Sequence, residues 1–358
     1  MTREEVLDAI RRNRTIANQN LDGIDLAGAD LTGGRFEKVV FRNADLRGAN
    51  ILRTGFKKCA FPGARFDGTD LTKVDLRKMD LSGASLRGVK LFQTLFTHSD
   101  LTGADFSEGD LGWSLLQHAK LDGAKFTGAK MEKMVLSHAS AGQADFSGAQ
   151  LTKVIFHDAQ LPGAVFKGAR LFKVLLANCN LAGQDFTGTS FQQVNVTGSD
   201  LTGADFTGVD VSMSNFMDAN LTKARLDKVR GRNAMFKGAK LIEATLTGAD
   251  LSQSLFAEGN LSQADFSKAC LDHCFFPSAI CRATRFAGSD LSYAEFDKTD
   301  LTAADFSSAK LYMARMHLVL DEHAIWDGAD RATVRGTDSD QAEAESWTPP
   351  PAADDKKK

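Results

Sequence analysis

Several features that mark other classes of protein are scarce or missing in this sequence. Tyrosine occurs twice and proline six times, while phenylalanine occurs 25 times, so aromatic rings without a hydroxyl predominate. No stretch approaches the roughly 18 apolar residues that a membrane-spanning helix needs, and the charged N-terminus lacks the apolar segment of a secretory signal. The five cysteines form no CxxC pair and no regular spacing, which favours buried free thiols in a reducing compartment.

A dominant charge of either sign is also missing. The chain has 43 basic and 46 acidic residues and a formal net charge of −3, so no overall field favours a nucleic acid or a membrane as partner. It contains no P-loop, GxSxG or HExxH motif. These absences predict no enzyme, cofactor, metal or small-molecule substrate. We expect a cytoplasmic protein, or one exported by a route that needs no signal peptide.

What the sequence does contain is a five-residue repeat. Every fifth residue from Leu21 to Met316 forms a series of 60 centres, of which 57 are Leu, Phe, Ile, Val or Met, without insertion or deletion. The exceptions are Ala141, Gly231 and Cys281. A small residue often lies two positions before the centre, so both side chains point to one side of an extended segment. Gly-containing links then turn the chain, which predicts a solenoid.

The phenylalanines show how many units make one coil. Stepping by 20 from Leu26, ten of fifteen centres are Phe, and stepping by 20 from Phe36, nine of fifteen are Phe. The two intervening series contain two Phe and one Phe. Because Phe-rich and Leu-rich rows alternate with this period, we predict a coil of 20 residues with four sides.

Units such as ADLTG at 29–33 and ADFTG at 204–208 resemble the A(D/N)LxG-type consensus of the pentapeptide repeat family. The resemblance extends over residues 16–316. It implies an all-β fold, a right-handed quadrilateral parallel β-helix of about fifteen four-sided coils. At the ordinary spacing of neighbouring strands, such a rod is roughly 70 Å long.

The two ends of a solenoid need covers, because each exposes an apolar cross-section and unpaired strand edges. Thr2 and Glu5 form a capping-box pattern, which predicts an N-terminal helical cap over residues 1–15. The repeat decays after Met316, so we interpret residues 317–336 as a degenerate C-terminal cap. The polar, proline-containing segment 337–358 is predicted to be a disordered tail.

One outer edge of the predicted rod is apolar. The slot just before a centre usually holds a polar residue and should face solvent, yet on five successive coils it holds a bulky aliphatic residue. Large exposed apolar patches usually mark contacts. We therefore predict a surface for a protein partner or for self-association, unless the chain's own cap or tail covers it. Its candidate residues are Leu95, Leu115, Val135, Ile155 and Leu175, with Phe92, Trp113 and Phe172 on the adjoining corner.

A column of basic residues runs beside this edge. It consists of Lys38, Lys58, Lys78, His98, His118 and His138 on successive coils. Three stacked imidazoles permit a metal site, but a line of ligands is not the tetrahedron that zinc prefers. A solvated stripe or a basic contact surface is the alternative.

Two functions follow from the resemblance. The first is a non-catalytic interaction scaffold or adaptor, similar to pentapeptide repeat proteins accessory to bacterial type VI secretion. The second is mimicry of DNA toward DNA gyrase, as in the quinolone-resistance members. Mimicry needs a dense acidic column. The best one here begins at Asp25 and is interrupted by Arg65, Lys125, Arg225 and Arg285.

Overall fold

The computed structural model describes residues 1–347, which form a stack of short parallel strands between two helices. The elements are α1 (Arg3–Arg11), β1 (Thr15–Ala17), β2 (Arg35–Glu37), β3 (Gly55–Lys57), β4 (Lys130–Glu132), β5 (Gln150–Thr152), β6 (Arg170–Phe172), β7 (Ser190–Gln192) and α2 (Ser339–Ser346). Strands β1 to β3 form one sheet and β4 to β7 another. Between and beyond them the chain continues as single-residue bridges.

Every strand pair and bridge joins residues that are 20 apart, and all are parallel. The pairing begins at Thr15 with Arg35 and runs to Arg315 with Arg335. Each coil contributes to four separate ladders. One is the strand ladder that begins at Thr15, and the others begin at Asn20, Asp25 and Asp30. This register confirms the predicted 20-residue coil and the parallel β-solenoid.

The turn inside each unit explains the five-residue period. The Ala29 amide donates to the Leu26 carbonyl over 3.0 Å, and Gly28 between them has a φ of +63°. Larger residues adopt the same left-handed conformation at equivalent positions, such as Trp113 with a φ of +60°. An L-residue there costs roughly 1–2 kcal/mol. The inter-coil hydrogen bonds hold the conformation in place.

The centres form the apolar core of the rod. Phe106, Phe126, Phe146 and Phe166 are fully buried and form a continuous stack. Their successive ring centroids are 5.1, 4.9 and 5.1 Å apart, with the planes within 8° of parallel. Parallel stacking at this spacing follows from the coil register, because each ring repeats the position of the one before.

Small polar residues inside the core have carbonyl partners. Thr94 and Ser99 lie two positions before their centres and donate to the carbonyls of Leu71 and Leu76, over 2.8 and 2.6 Å. Cys274 occupies the same position, with its Sγ 3.0 Å from the Leu251 carbonyl. A thiol therefore replaces a hydroxyl in this slot without a change in the backbone.

The cysteines should differ sharply in reactivity. Cys59, Cys179, Cys274 and Cys281 are buried and Cys270 is half-exposed. Burial raises the pKa of each buried thiol, that of Cys179 to about 12. Since the thiolate is the reactive form, we expect Ellman's reagent at pH 8 to titrate one thiol of the folded protein and five in denaturant. Fast reaction of two or more thiols in the folded state would contradict this assignment.

Helix α1 covers the first coil. Its capping box is confirmed: the Thr2 amide donates to Glu5 Oε2 over 2.8 Å, and the Glu5 amide donates to Thr2 Oγ1 over 3.3 Å. Val6 is fully buried, and Leu7 and Ile10 pack against the core. The apolar face of the helix therefore shields the end of the Phe and Leu rows.

At the other end, the winding continues beyond Met316. Bridges pair Lys310 with Asp330 and Arg315 with Arg335, and the Trp326 ring stacks on Phe306 at 4.4 Å. Segment 317–336 thus repeats the coil geometry, although its sequence has lost the consensus.

Helix α2 departs from the disordered tail expected over 337–358. Asp338 caps it by accepting a hydrogen bond from the Gln341 amide over 3.0 Å. Glu345 forms an ion pair with Lys298 at 2.8 Å. Residues 339–346 are ordered because this cap and these contacts with the rod offset the loss of chain entropy. Residues 348–358 of the predicted tail lie outside the described residues.

Neither helix of the described chain is long and apolar enough to cross a bilayer.

Candidate functional site

The five aliphatic residues predicted to line the apolar edge form one column, here called the apolar strip. Parallel bridges link Leu95 to Leu115, Leu115 to Val135, Val135 to Ile155, and Ile155 to Leu175. Each side chain is half-exposed, between buried neighbours before and after it in the sequence. This follows from the alternation along an extended segment, which turns the slot before each centre outward.

Two of the predicted aromatic residues contact each other beside the strip. Phe92 and Trp113 are 45% and 43% exposed, and their ring centroids lie 6.4 Å apart at an interplanar angle of 62°. The left-handed backbone of Trp113 places its side chain at the corner. The Lys133 ammonium lies 4.0 Å from the centre of the indole ring, a cation–π contact.

Phe172 lies apart from this pair. It belongs to β6, three coils beyond Trp113, where Thr152 and Gln192 flank it in the ladder. Its side chain is 39% exposed and the Lys173 ammonium lies 5.1 Å from the ring centre. The structure therefore extends the aromatic corner along the rod rather than gathering the three rings in one cluster.

A lysine column, which the sequence reasoning missed, borders the strip on the corner side. It consists of Lys133, Lys153 and Lys173, which repeat the Trp113 position on the next three coils with φ between +54° and +56°. The column is visible in the sequence when every twentieth residue after Trp113 is compared. An ion pair joins Lys133 to Glu132 at 3.5 Å.

The histidine column borders the strip on its other side. His98 and His118 stack at 4.7 Å, and His118 and His138 at 4.9 Å, with planes within 10° of parallel. His138 and His157 lie 3.6 and 3.1 Å from the Asp158 carboxylate. Residues 1–347 contain no group of three or more His, Cys, Asp or Glu arranged to hold a metal ion. The column ends at Asp158, so along this side of the strip the side chains change from imidazoles to an acid.

The same face becomes apolar again farther along the rod. After Asn195 and Asn215 the slot is occupied by Met235, Leu255 and Phe275, linked by parallel bridges. Phe275 is 41% exposed. The face therefore combines exposed apolar area with positive charge near its middle, a combination typical of binding surfaces.

The acidic column on another face is partly neutralised. Asp205 pairs with Arg225 at 3.2 Å, and Asp265 pairs with Arg285 at 3.6 Å. The hydrogen bond from Arg47 holds the pKa of Asp45 below its ordinary value. Arg225 and Arg285 thus interrupt the acidic column and also offset the negative charge of the aspartate one coil earlier.

The repeat geometry agrees with a family comparison. The model of "Pentapeptide repeats" matches eight times, over residues 20–52, 56–88, 94–132, 135–168, 169–212, 214–253, 244–280 and 279–317. The chain belongs to the pentapeptide repeat family. No curated protein matches its sequence.

Several solved structures of pentapeptide repeat proteins are similar to this one. A trypsin-treated variant of QnrB1, a plasmid-mediated fluoroquinolone resistance protein, is 24% identical over 64% of this chain and 92% of its own, with a TM-score of 0.26. A protein from the Arabidopsis thaliana thylakoid lumen is 31% identical over 29% of this chain and 70% of its own, with a TM-score of 0.21. HetL from Nostoc sp. strain PCC 7120, involved in heterocyst differentiation regulation, is 21% identical over 92% and 96%, with a TM-score of 0.16.

Proposed function

We propose that this pentapeptide repeat protein is a non-catalytic scaffold whose apolar strip binds another protein or a second copy of itself. The observation that supports this most is the strip itself, with five bulky aliphatic side chains half-exposed in one continuous column. A single exposed leucine needs no explanation, but a contiguous column beside two exposed aromatic residues does.

The rigidity of the rod favours such a role. The Leu115 amide donates a hydrogen bond to the Thr94 carbonyl over 3.0 Å, and the Val135 amide donates one to the Ser114 carbonyl over 3.1 Å. Since these bonds fix the backbone that carries the strip, its side chains project from a rigid base before a partner binds. A preorganised surface loses less conformational entropy on binding than a flexible one.

The strip can be tested with the double substitution Leu115→Glu and Ile155→Glu. Because both side chains point outward, we expect a melting temperature within about 2 °C of the unchanged protein. We expect loss of the co-purifying partner, or conversion of a dimer to a monomer in light scattering. A matched control is Val165→Glu with Ile280→Glu, two aliphatic residues in the same slot on other faces, 42% and 40% exposed.

Two outcomes would contradict the proposal. Retention of the partner or of the dimer by the strip variant would place the contact elsewhere. Unfolding of the strip variant, with the control still folded, would mean that the strip is covered within the chain.

DNA mimicry toward gyrase has weaker support, because arginines interrupt and neutralise the acidic column. The accessory role in type VI secretion stays a prediction, as does the cytoplasmic location, which agrees with the buried free thiols. Mass spectrometry of proteins that co-purify from the native cell would separate these roles. Gyrase subunits and secretion components are the two informative results.

A further inference from the structure

We propose that the partner lays an acidic amphipathic helix along the apolar strip. This inference rests on the proposed function and adds the chemistry of the partner. It depends on three observations: the inter-coil hydrogen bonds under the strip, the lysine column on one side of it, and the acidic helix α2 that the same face already holds at its end.

The backbone under the strip favours a helix over an added strand. The Leu115 amide donates to Thr94, and its carbonyl accepts from the Phe96 amide over 2.8 Å. Val135 and Ile155 also have both groups engaged, with carbonyls that accept from the amides of the centres one coil earlier. An extended peptide would find these backbone groups already engaged, and its own amides would meet apolar side chains. A helix satisfies its backbone internally and needs only a side-chain surface.

The dimensions also fit a helix. Successive coils repeat at about 4.8 Å, and one α-helical turn advances about 5.4 Å. One apolar side chain per turn can therefore lie near each successive residue of the strip. Five coils extend over roughly 19 Å, which corresponds to about 13 helical residues. Apolar residues three and four apart would face the strip, as in other helix-in-groove contacts.

The charges beside the strip select the sign of the partner. Lys133, Lys153 and Lys173 border it on one side. The other side is not uniformly basic, because the histidine column is followed by Asp158 beside Ile155 and by Asn178 beside Leu175. A helix with an apolar stripe and with Asp and Glu on one flank would match the lysine border. Exposed ion pairs contribute little affinity individually but set sign and orientation.

Helix α2 shows that this side of the rod can hold an acidic helix, here through polar contacts. It contains Asp340, Glu343 and Glu345 and no basic residue. Arg315, which holds the slot of the strip on a later coil, donates to Gln341 Oε1 over 2.7 Å. On this coil the slot that the strip occupies elsewhere holds a basic residue, Arg315, and the acidic helix lies against it.

Two further contacts hold α2 on the same side of the rod. Lys298 lies farther along the rod in the same column as His98, His118 and His138. It forms an ion pair with Glu345 at 2.8 Å. His317, which is 1% exposed, accepts a hydrogen bond from the Asp338 amide at its Nδ1 over 3.2 Å. Lys298 thus shows that a basic residue in a column bordering the strip can pair with an acid of a helix.

A displayed library of random 16-residue peptides with a helix-favouring composition tests the inference. Selection against the full chain should enrich acidic sequences with apolar residues three and four apart. The enriched peptides, labelled for fluorescence anisotropy, should become helical on binding by circular dichroism. They should bind at least tenfold more weakly to the variant Leu115→Ser with Ile155→Ser, which removes apolar area without adding charge.

Charge variants make the test specific for sign. Lys133→Glu, Lys153→Glu and Lys173→Glu together should weaken binding about tenfold or more, since three exposed pairs are lost and reversed. The matched control is Lys167→Glu, Lys228→Glu and Lys268→Glu, exposed lysines on the opposite face with the same change in net charge. The control should bind as the unchanged protein does.

The outcomes separate the two proposals. Strip-dependent binders that are basic, or that stay non-helical, would overturn the acidic helix and leave the proposed function standing. Binders that the Leu115→Ser and Ile155→Ser variant holds equally well would count against the strip as the binding surface, and so against both. A selection with no enrichment would overturn the helix inference alone, while the substitution test above still decides the proposed function.

Discussion

Deleting residues 161–165 should destabilise the rod severely, although it removes only five of 358 residues. Each later centre would then move to the next face of the solenoid. Phe166 would follow Ala141 instead of Phe146, and Leu171 would follow Phe146. The mismatch combines overpacking with cavities at one junction, so we expect a loss of several kcal/mol. Thermal melting followed by circular dichroism should show a decrease of roughly 5–10 °C, or two separate transitions.

The control deletes one full coil, residues 161–180. Gln160 and Asn180 are paired by a bridge at equivalent positions, so Gln160 can be joined to Leu181 without a change of face. Phe146 would then stack on Phe186, and every row would stay in register. We expect a folded, shorter protein with a melting temperature close to the original, because each coil contacts mainly its neighbours. Equal stability of the two deletions would refute the four-sided coil.

Replacing Phe166 by alanine should lower the free energy of unfolding by about 3–5 kcal/mol. The ring is fully buried and stacked between Phe146 at 5.1 Å and Phe186 at 5.7 Å. Its neighbours are held by the coil register, so the cavity has little room to collapse. Urea denaturation monitored by circular dichroism measures the change.

The neighbouring substitution Lys167→Ala serves as the control for Phe166. Lys167 is exposed, and surface changes of this kind usually alter stability by less than about 0.5 kcal/mol. A loss below about 1 kcal/mol for Phe166→Ala would show that the Phe rows do not form a packed ladder.

Much of the fold could be predicted because the repeat is strictly periodic. Positions 20 apart fall on the same face, so a list of centres already contains the Phe stacks. Helix α1 was also readable, since the hydrogen bonds of Thr2 and Glu5 are local in sequence. Helix α2 at 339–346 departs from the tail expected there, because it depends on Lys298 and other residues distant in sequence.

The positions of the candidate residues were predictable to the same degree. All five strip residues lie in one bridged column, as steps of 20 require. The aromatic residues were less predictable: Phe92 contacts Trp113, but Phe172 lies three coils beyond. The position of a ring at a corner depends on its rotamer and on neighbours such as Lys133, neither of which the period specifies.

The sequence alone determined the coil length, the four faces, the alternating Phe and Leu rows and the outward column at Leu95 and Leu115. These follow from the alternation of side chains along extended segments and from an unbroken period. The tertiary structure alone decided which side chains of the columns contact each other. Lys133 lies over Trp113, Asp158 lies within ion-pair distance of two histidines, and Glu345 of α2 pairs with Lys298. Those contacts arise between coils and across corners, where the energy depends on three-dimensional distance and burial rather than on spacing along the chain.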